Sequence, residues 1–150
     1  MNIPDSVQCI GVGAFGECTS LQSIVIPPSV TVIERNMFYS CAALTEITIP
    51  VSVKTIDKLA FYSCYGLDAV YYERDIDDWM NVSIHESYAN PLHIAAKLYI
   101  RNTSVTEVTV PDGVTIINSV FSDCTAMTSV TVPRSVRTIE DLAFWELYRA

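Results

Sequence analysis

Residues 9–18, CIGVGAFGEC, set Gly11, Gly13 and Gly16 at the spacing G-x-G-x-x-G. In a dinucleotide-binding turn those glycines let backbone amides close on a pyrophosphate. A second candidate is His85, Glu86 and His93, which read H-E-x6-H. A zinc protease needs H-E-x-x-H on a helix, so that one turn brings both imidazoles to one face. The wider spacing and the Asn90-Pro91 break deny that geometry, and a solvated loop is the simpler account. Asp75, Asp77 and Asp78 would suit calcium, but the D-x-[DN]-x-[DN]-G loop is absent. They fit the start of a helix better, with Asp75 as its cap. Ser6, Ser29, Ser52 and Ser135 each follow a proline closely, as turn residues do. None is grouped with a histidine and an acid, so nucleophilic catalysis has no constellation. Asn81-Val-Ser83 and Asn102-Thr-Ser104 match glycosylation sequons, which matter only in a eukaryotic secretory pathway. These patterns predict no enzyme, no metal site and no cofactor.

The elements that position these residues come from a repeat, and the repeat removes the glycine motif. IPDSVQCIGVGAFGECTSLQSIVIP aligns with IPPSVTVIERNMFYSCAALTEITIP and IPVSVKTIDKLAFYSCYGLDAVYYE at a constant step, from Pro4 to Pro27 to Pro50. The unit returns as VPDGVTIINSVFSDCTAMTSVTVP and VPRSVRTIEDLAFWELYRA. One unit later, the three glycine slots hold Glu34, Asn36 and Tyr39. A phosphate cradle could not tolerate that exchange.

Each unit ends in period-2 alternation: Ile24 and Ile26, Ile47 and Ile49, Val70 and Tyr72, Val108 and Val110, Val130 and Val132. Such a segment is a short strand, and a following proline stops it. A second extended segment carries V-x-x-I, as in Val30 and Ile33. A tight helical or 3₁₀ turn then carries Phe15, Phe38, Phe61, Phe121 or Phe144. No single unit can bury its own apolar face, so units must stack and share one core. Cys18, Cys41, Cys64 and Cys124 share one repeat position, which predicts buried, reduced thiols rather than disulfides; Cys9 has no evident partner.

Together these features predict a mostly-β α/β solenoid with a parallel sheet. Residues 1–150 form a single domain of about five rungs with the Pro4-to-Pro27 period, a fragment of a longer array. Residues 73–104 form an enlarged rung in which Ile76, Trp79 and Met80 lie on one face of a short helix. The whole stretch from Tyr72 to Val110 then reads as one rung. A strand at 97–100 either pairs as a hairpin or replaces the second extended segment.

The outward columns of the strand face read Ser23, Glu46, Ala69, Glu107, Ser129, and Val25, Thr48, Tyr71, Thr109, Thr131. An extended repeat surface binds partners, although a wet sheet face also needs β-formers of this kind. Glu46, Thr48, Tyr71, Glu107, Thr109 and Thr131 are the candidate binding residues, with Tyr71 the strongest.

The chain resembles the BspA-type leucine-rich repeats on the units quoted. In the enlarged rung Tyr72, Trp79, Ile84, Asn90 and Leu92 carry the likeness. The resemblance implies a right-handed leucine-rich-repeat coil and a non-catalytic protein- or glycan-binding module of a surface or adhesin-type protein. The alternative is a structural spacer whose uncapped ends self-associate. A net charge of −8 disfavours nucleic acid as a partner, and no apolar run is long enough to insert in a membrane. A protein or glycoprotein is therefore the expected ligand. The resemblance places the chain at the cell surface or outside the cell. The quoted N-terminus, MNIPDSVQ, carries no signal-peptide pattern, which leaves a cytoplasmic location open.

Overall fold

The computed structural model describes residues 1–95 and 97–147. In chain order the first strands are β1 (Ser23–Val25), β2 (Val32–Ile33), β3 (Glu46–Ile49), β4 (Thr55–Ile56), β5 (Ala69–Tyr72) and β6 (Ser83–Ile84), with helix α1 (Ile76–Met80) between the last two. There follow β7 (Lys97–Ile100), β8 (Thr103–Ser104), β9 (Glu107–Thr109), β10 (Ile116–Ile117), β11 (Ser129–Thr131) and β12 (Thr138–Ile139). Single 3₁₀ turns cover Ser87–Ala89, Pro91–His93 and Ser119–Phe121.

Four of the odd-numbered strands build the main sheet, and β9 and β11 form a separate pair. β1, β3, β5 and β7 pair in parallel, and β9 pairs with β11 in the same sense. The registers Ser23↔Glu46 and Glu46↔Ala69 are one repeat apart. The second extended segments form the opposite wall, as β2-β4-β6 and β10-β12. Val7 and Ile10 belong to no assigned strand.

Between the walls runs one core. Ile24, Ile26, Ile47, Ile49, Val70 and Tyr72 enter it from the sheet, and Val30, Ile33, Val53 and Ile56 from the other wall. The phenylalanines stack in a column: Phe15 on Phe38 at 5.6 Å, Phe38 on Phe61 at 5.4 Å, and Phe121 on Phe144 at 6.4 Å. Each fully buried ring contributes roughly 1.5–3 kcal/mol, and none could be buried by its own rung alone.

The turns that carry these rings use left-handed backbone at two slots, except that of Phe121, which uses only the second. Gly13, Asn36, Leu59 and Leu142 fill one such slot with φ between 56° and 64°. Glu17, Ser40, Ser63, Asp123 and Glu146 fill the other. Gly13 is thus a turn residue of the repeat. Its amide donates to Arg35 O, and those of Ala14, Phe15, Gly16 and Glu17 are bonded to carbonyls as well. No row of free amides remains to hold a phosphate.

The thiols follow the rungs. Cys41 Sγ donates to Phe15 O at 3.0 Å and Cys64 Sγ to Phe38 O at 2.9 Å, each reaching one rung down. Cys41, Cys64 and Cys124 are buried and not disulfide-bonded. Burial pushes the thiols up, Cys64 to about 12 and Cys124 to about 11. The expectation of a buried Cys18 fails: that thiol is exposed, as is Cys9. Cys18 sits on the first rung, where no turn covers it.

Of the two alternatives expected for the strand at 97–100, the hairpin is the one formed, and the strand also joins the main sheet. β7 is a full member of the main sheet, in register Ala69↔Lys97 with β5. It also forms a hairpin with β8, through Tyr99↔Ser104 and Ile100↔Thr103. The second extended segment of this rung is β6. The rung therefore closes at Lys97, far short of Val110. Its step from Ala69 to Lys97 is only five positions longer than the step from Glu46 to Ala69. All five lie between β5 and β6, where α1 sits, because Ile56 to Ala69 and Ile84 to Lys97 are of equal length. After β7 and β8 the chain runs directly into β9, which pairs with β11. The main sheet side thus has one strand, β7, with no counterpart on the opposite wall.

At this dislocation the strand ladders stop, since β6 does not pair with β10. Side chains bridge the gap instead. Asn118 Nδ2 donates to Met80 O and Val82 O, both at 3.3 Å, while its Oδ1 accepts from Val120 N. Asn90, 1% exposed, donates to Ser119 O at 3.1 Å and accepts from Leu92 N. Trp79 Nε1 donates to Val120 O at 3.3 Å. Ile76 is half-buried beside the buried Trp79 and Met80, so α1 turns one face to the core as its spacing predicts. Its expected cap is not made: Asp75 stands at the N-cap without a side-chain bond to the helix. Its carboxylate accepts from Arg101 at 2.9 Å instead.

Candidate binding face

Alternation along each strand decides what the main sheet shows to solvent. Ile47 and Ile49 point inward on β3, which leaves Glu46 exposed and Thr48 half-buried. On β5 Tyr71 is half-buried while Val70 and Tyr72 are in the core. Glu107 and Thr109 flank the buried Val108 and are exposed, as is Thr131 on β11. Glu46, Thr48 and Tyr71 lie together on the five-stranded sheet, whereas Glu107, Thr109 and Thr131 lie on the separate β9–β11 pair. Ala69, assigned to the outward column, is 6% exposed and offers no contact.

Between these two groups the structure inserts residues that the columns omit. Lys97 stands in register with Ala69, and Tyr99 with Tyr71. The rings of Tyr71 and Tyr99 stack at 4.8 Å with planes 20° apart. Lys97 Nζ donates to both oxygens of Asp68, at 2.8 and 2.9 Å. That bond holds the Lys97 ammonium above its usual range. The columns pass over both residues because they make β5 and β9 successive strands. The alternation K-L-Y-I, which matches E-I-T-I of β3, is the signal that would have found them.

Beyond the strand ends, Val25, Thr48, Tyr71, Tyr72, Glu73, Arg101 and Asn102 enclose an open groove of about 460 Å³. Its lining combines the exposed Val25 and tyrosine rings with Arg101 and Glu73. Arg101 is 62% exposed at its side chain and is tied to Asp75. Apolar faces beside a cation and an anion suit a peptide or protein edge. Nothing in the groove pairs a nucleophile with a base.

The other candidate groups are placed as structural pairs. His85 Nδ1 meets Asp57 Oδ1 at 2.9 Å, and His93 Nδ1 meets Asp123 Oδ2 at 3.0 Å. Each histidine therefore bonds the enlarged rung to a neighbouring rung. The Asp57 carboxyl is held below its ordinary value, first by the Lys58 amide and then by His85. Asp78 faces Arg74 at 3.5 Å. Among the described residues no three histidine, cysteine, aspartate or glutamate side chains gather as metal ligands would. No helix of the described residues is long and apolar enough to cross a membrane.

The repeat and the coil it builds recur in known proteins. The family model of the BspA type leucine rich repeat region matches residues 1–100 and 92–149, in six copies. The two matched segments meet at β7, the site of the dislocation. A leucine-rich repeat protein from Bacteroides ovatus has a similar structure, with 24% identity and a TM-score of 0.58 over 99% of this chain and 40% of that one. The T. pallidum leucine rich repeat protein matches at 20% identity and a TM-score of 0.48, over 85% of this chain and 64% of that one. The chain thus spans less than two thirds of the length of either. Among curated proteins none matches.

Proposed function

The chain belongs to the BspA-type leucine-rich repeat family, and from that premise we propose that it is a non-catalytic binding module taking a protein or glycoprotein ligand on its main sheet face. The observation that carries this reading is the Tyr71–Tyr99 stack beside the open groove. Tyrosine offers a large rigid surface at low entropic cost, with a hydroxyl at its rim, and is enriched where proteins bind. Two half-buried rings fixed face to face on parallel strands need little ordering when a ligand arrives. Glu46 and Thr48 extend the surface along the sheet, and Glu107, Thr109 and Thr131 extend it past the hairpin. Family repeats occur widely in surface proteins, and we place this module at the cell surface or outside the cell.

The test compares the wild-type chain with the Tyr71→Ala/Tyr99→Ala variant, both immobilised and exposed to solubilised host-cell surface proteins. The proposal expects at least a tenfold loss of affinity for the captured ligand, about 1.4 kcal/mol or more, with the circular dichroism spectrum unchanged. Capture that is equal for both proteins removes the sheet face as the site. Absence of any captured ligand favours the spacer role.

A further inference from the structure

A second cleft lies on the turn edge of the solenoid, away from the main sheet. Its origin is the enlarged rung. Five residues on from the register pair Ile56↔Ile84 stand Phe61 in one rung and Ala89 in the next. The phenylalanine column therefore skips a ring here. The regular backbone ladder between turns also lapses: Leu59 N is bonded by the Glu86 carboxylate rather than by a carbonyl. The space left, about 430 Å³, opens over Phe61 between Tyr62, Tyr65, Tyr88, Asn90 and His93. This lies within the usual range of small-ligand sites, about 300–1,000 Å³.

Three properties of the lining define the ligand. First, aromatic surface is open to solvent at its mouth: Tyr65 is 78% exposed and Tyr88 47%. Second, no lysine, arginine, aspartate or glutamate lines it, so a charged ligand would find no counter-ion. Third, its available polar groups are hydroxyls, which both donate and accept, and an imidazole; the Asn90 amide is already bonded to Ser119, Ser122 and Leu92. Asp123 can only accept from His93 Nδ1, so that nitrogen carries a proton and Nε2 is the ring nitrogen left outside that bond. The walls are braced in advance. Tyr88 meets Tyr62 edge-on at 5.3 Å and His93 edge-on at 5.2 Å. Ser63 Oγ donates to the Tyr65 hydroxyl at 3.2 Å.

We infer that this cleft is a saccharide site that seats the C–H face of a neutral pyranose ring on Tyr65 and Tyr88. A pyranose matches all three properties: it is uncharged, it has an apolar ring face, and its hydroxyls donate and accept around the edge. A quaternary ammonium ion could use the rings but would find no free carboxylate at His93, since Asp123 is held by His93 and Ser122. The site is independent of the sheet face and stands or falls apart from it.

The experiment is a titration of tyrosine-labelled protein, observed through ring resonances in two-dimensional NMR. The probes are methyl β-glucoside, methyl β-galactoside, methyl α-mannoside and N-acetylglucosamine. At least one is expected to shift the Tyr65 and Tyr88 rings saturably, with half-saturation on the order of millimolar, as a single shallow contact allows. Tyr65→Ala, a change at an exposed side chain, should weaken that binding at least tenfold; Tyr88→Ala should do the same, and Tyr71→Ala should leave it unchanged. The inference is overturned if none of the four sugars gives a saturable shift. It is equally overturned if tetramethylammonium or a proline-rich peptide saturates these rings while the sugars do not, or if Tyr71→Ala abolishes the response.

Discussion

At the scale of the residue, Tyr72 shows how burial is imposed by position. It stands in the isoleucine slot of the repeat, as the register Ile49↔Tyr72 records, and its ring is 1% exposed against Trp79. Its hydroxyl is buried with no hydrogen-bond partner. Burial, with the nearby Asp78 charge, pushes that phenol up to about 12. An unpaired buried hydroxyl costs about 1–3 kcal/mol, so Tyr72→Phe should stabilise the fold by about 1 kcal/mol. Urea unfolding of the two proteins measures it, and a destabilised variant would mean that the hydroxyl has a partner. A column such as Phe15, Phe38 and Phe61 is legible in the sequence because one period repeats one environment. Cys18 shares a column with Cys41 but not its burial, because the column says nothing about which rung comes first.

At the scale of the element, the seam between β6 and β10 is the least regular and most testable feature. Regular rungs hold one another through backbone ladders, whereas here Asn90, Asn118 and Trp79 supply the bonds. Removing the Asn90 amide takes away the bonds it makes to Ser122 O and Leu92 N in the interior, while Ser119 O keeps the Ser122 amide. Asn90→Ala should cost about 2–3 kcal/mol. In a stack where each rung feels only its neighbours, a weakened interface also divides the cooperative unit. The Asn90→Ala/Asn118→Ala variant should therefore unfold in urea with a lower m-value or in two steps. A single transition with unchanged m would show that core packing alone couples the two halves. The presence of helix α1 was legible from Trp79 and Met80. Its cap was not, since Asp75 is drawn off by Arg101, far along the chain. No local pattern reports a competing partner at that distance.

At the scale of the whole molecule, the shared core makes stability depend on keeping its acids neutral. Cys64, Cys124 and Tyr72 all have pKa values raised by burial, from 9.0, 9.0 and 10.0 to about 12, 11 and 12. The folded state thus binds these protons more tightly than the unfolded chain does. Their contribution is complete below pH 9 and is lost as pH rises from 9 towards 12. Melting temperature should be level from about pH 7 to the lower edge of that window and fall across it, and circular dichroism melts would record it. Tyr72→Phe, lacking one of these acids, should lose less of its stability in the upper part of the range. An equal fall in both proteins would remove the phenol as a cause.

The repeat alone determined that the chain coils, that the isoleucine and valine slots of the strands face inward and that the three glycines hold ordinary repeat positions. All of these follow from a fixed period, in which each side chain meets its own kind one rung away. The sheet face was legible in the same way, down to Tyr71. The irregular rung was decided only in three dimensions: β7 entered the sheet, Tyr99 came to rest on Tyr71, and a cleft lined by Phe61, Tyr65 and Tyr88 formed where the phenylalanine column skips a ring. Where the period breaks, a residue's neighbours are no longer given by counting, and only the packed chain chooses them.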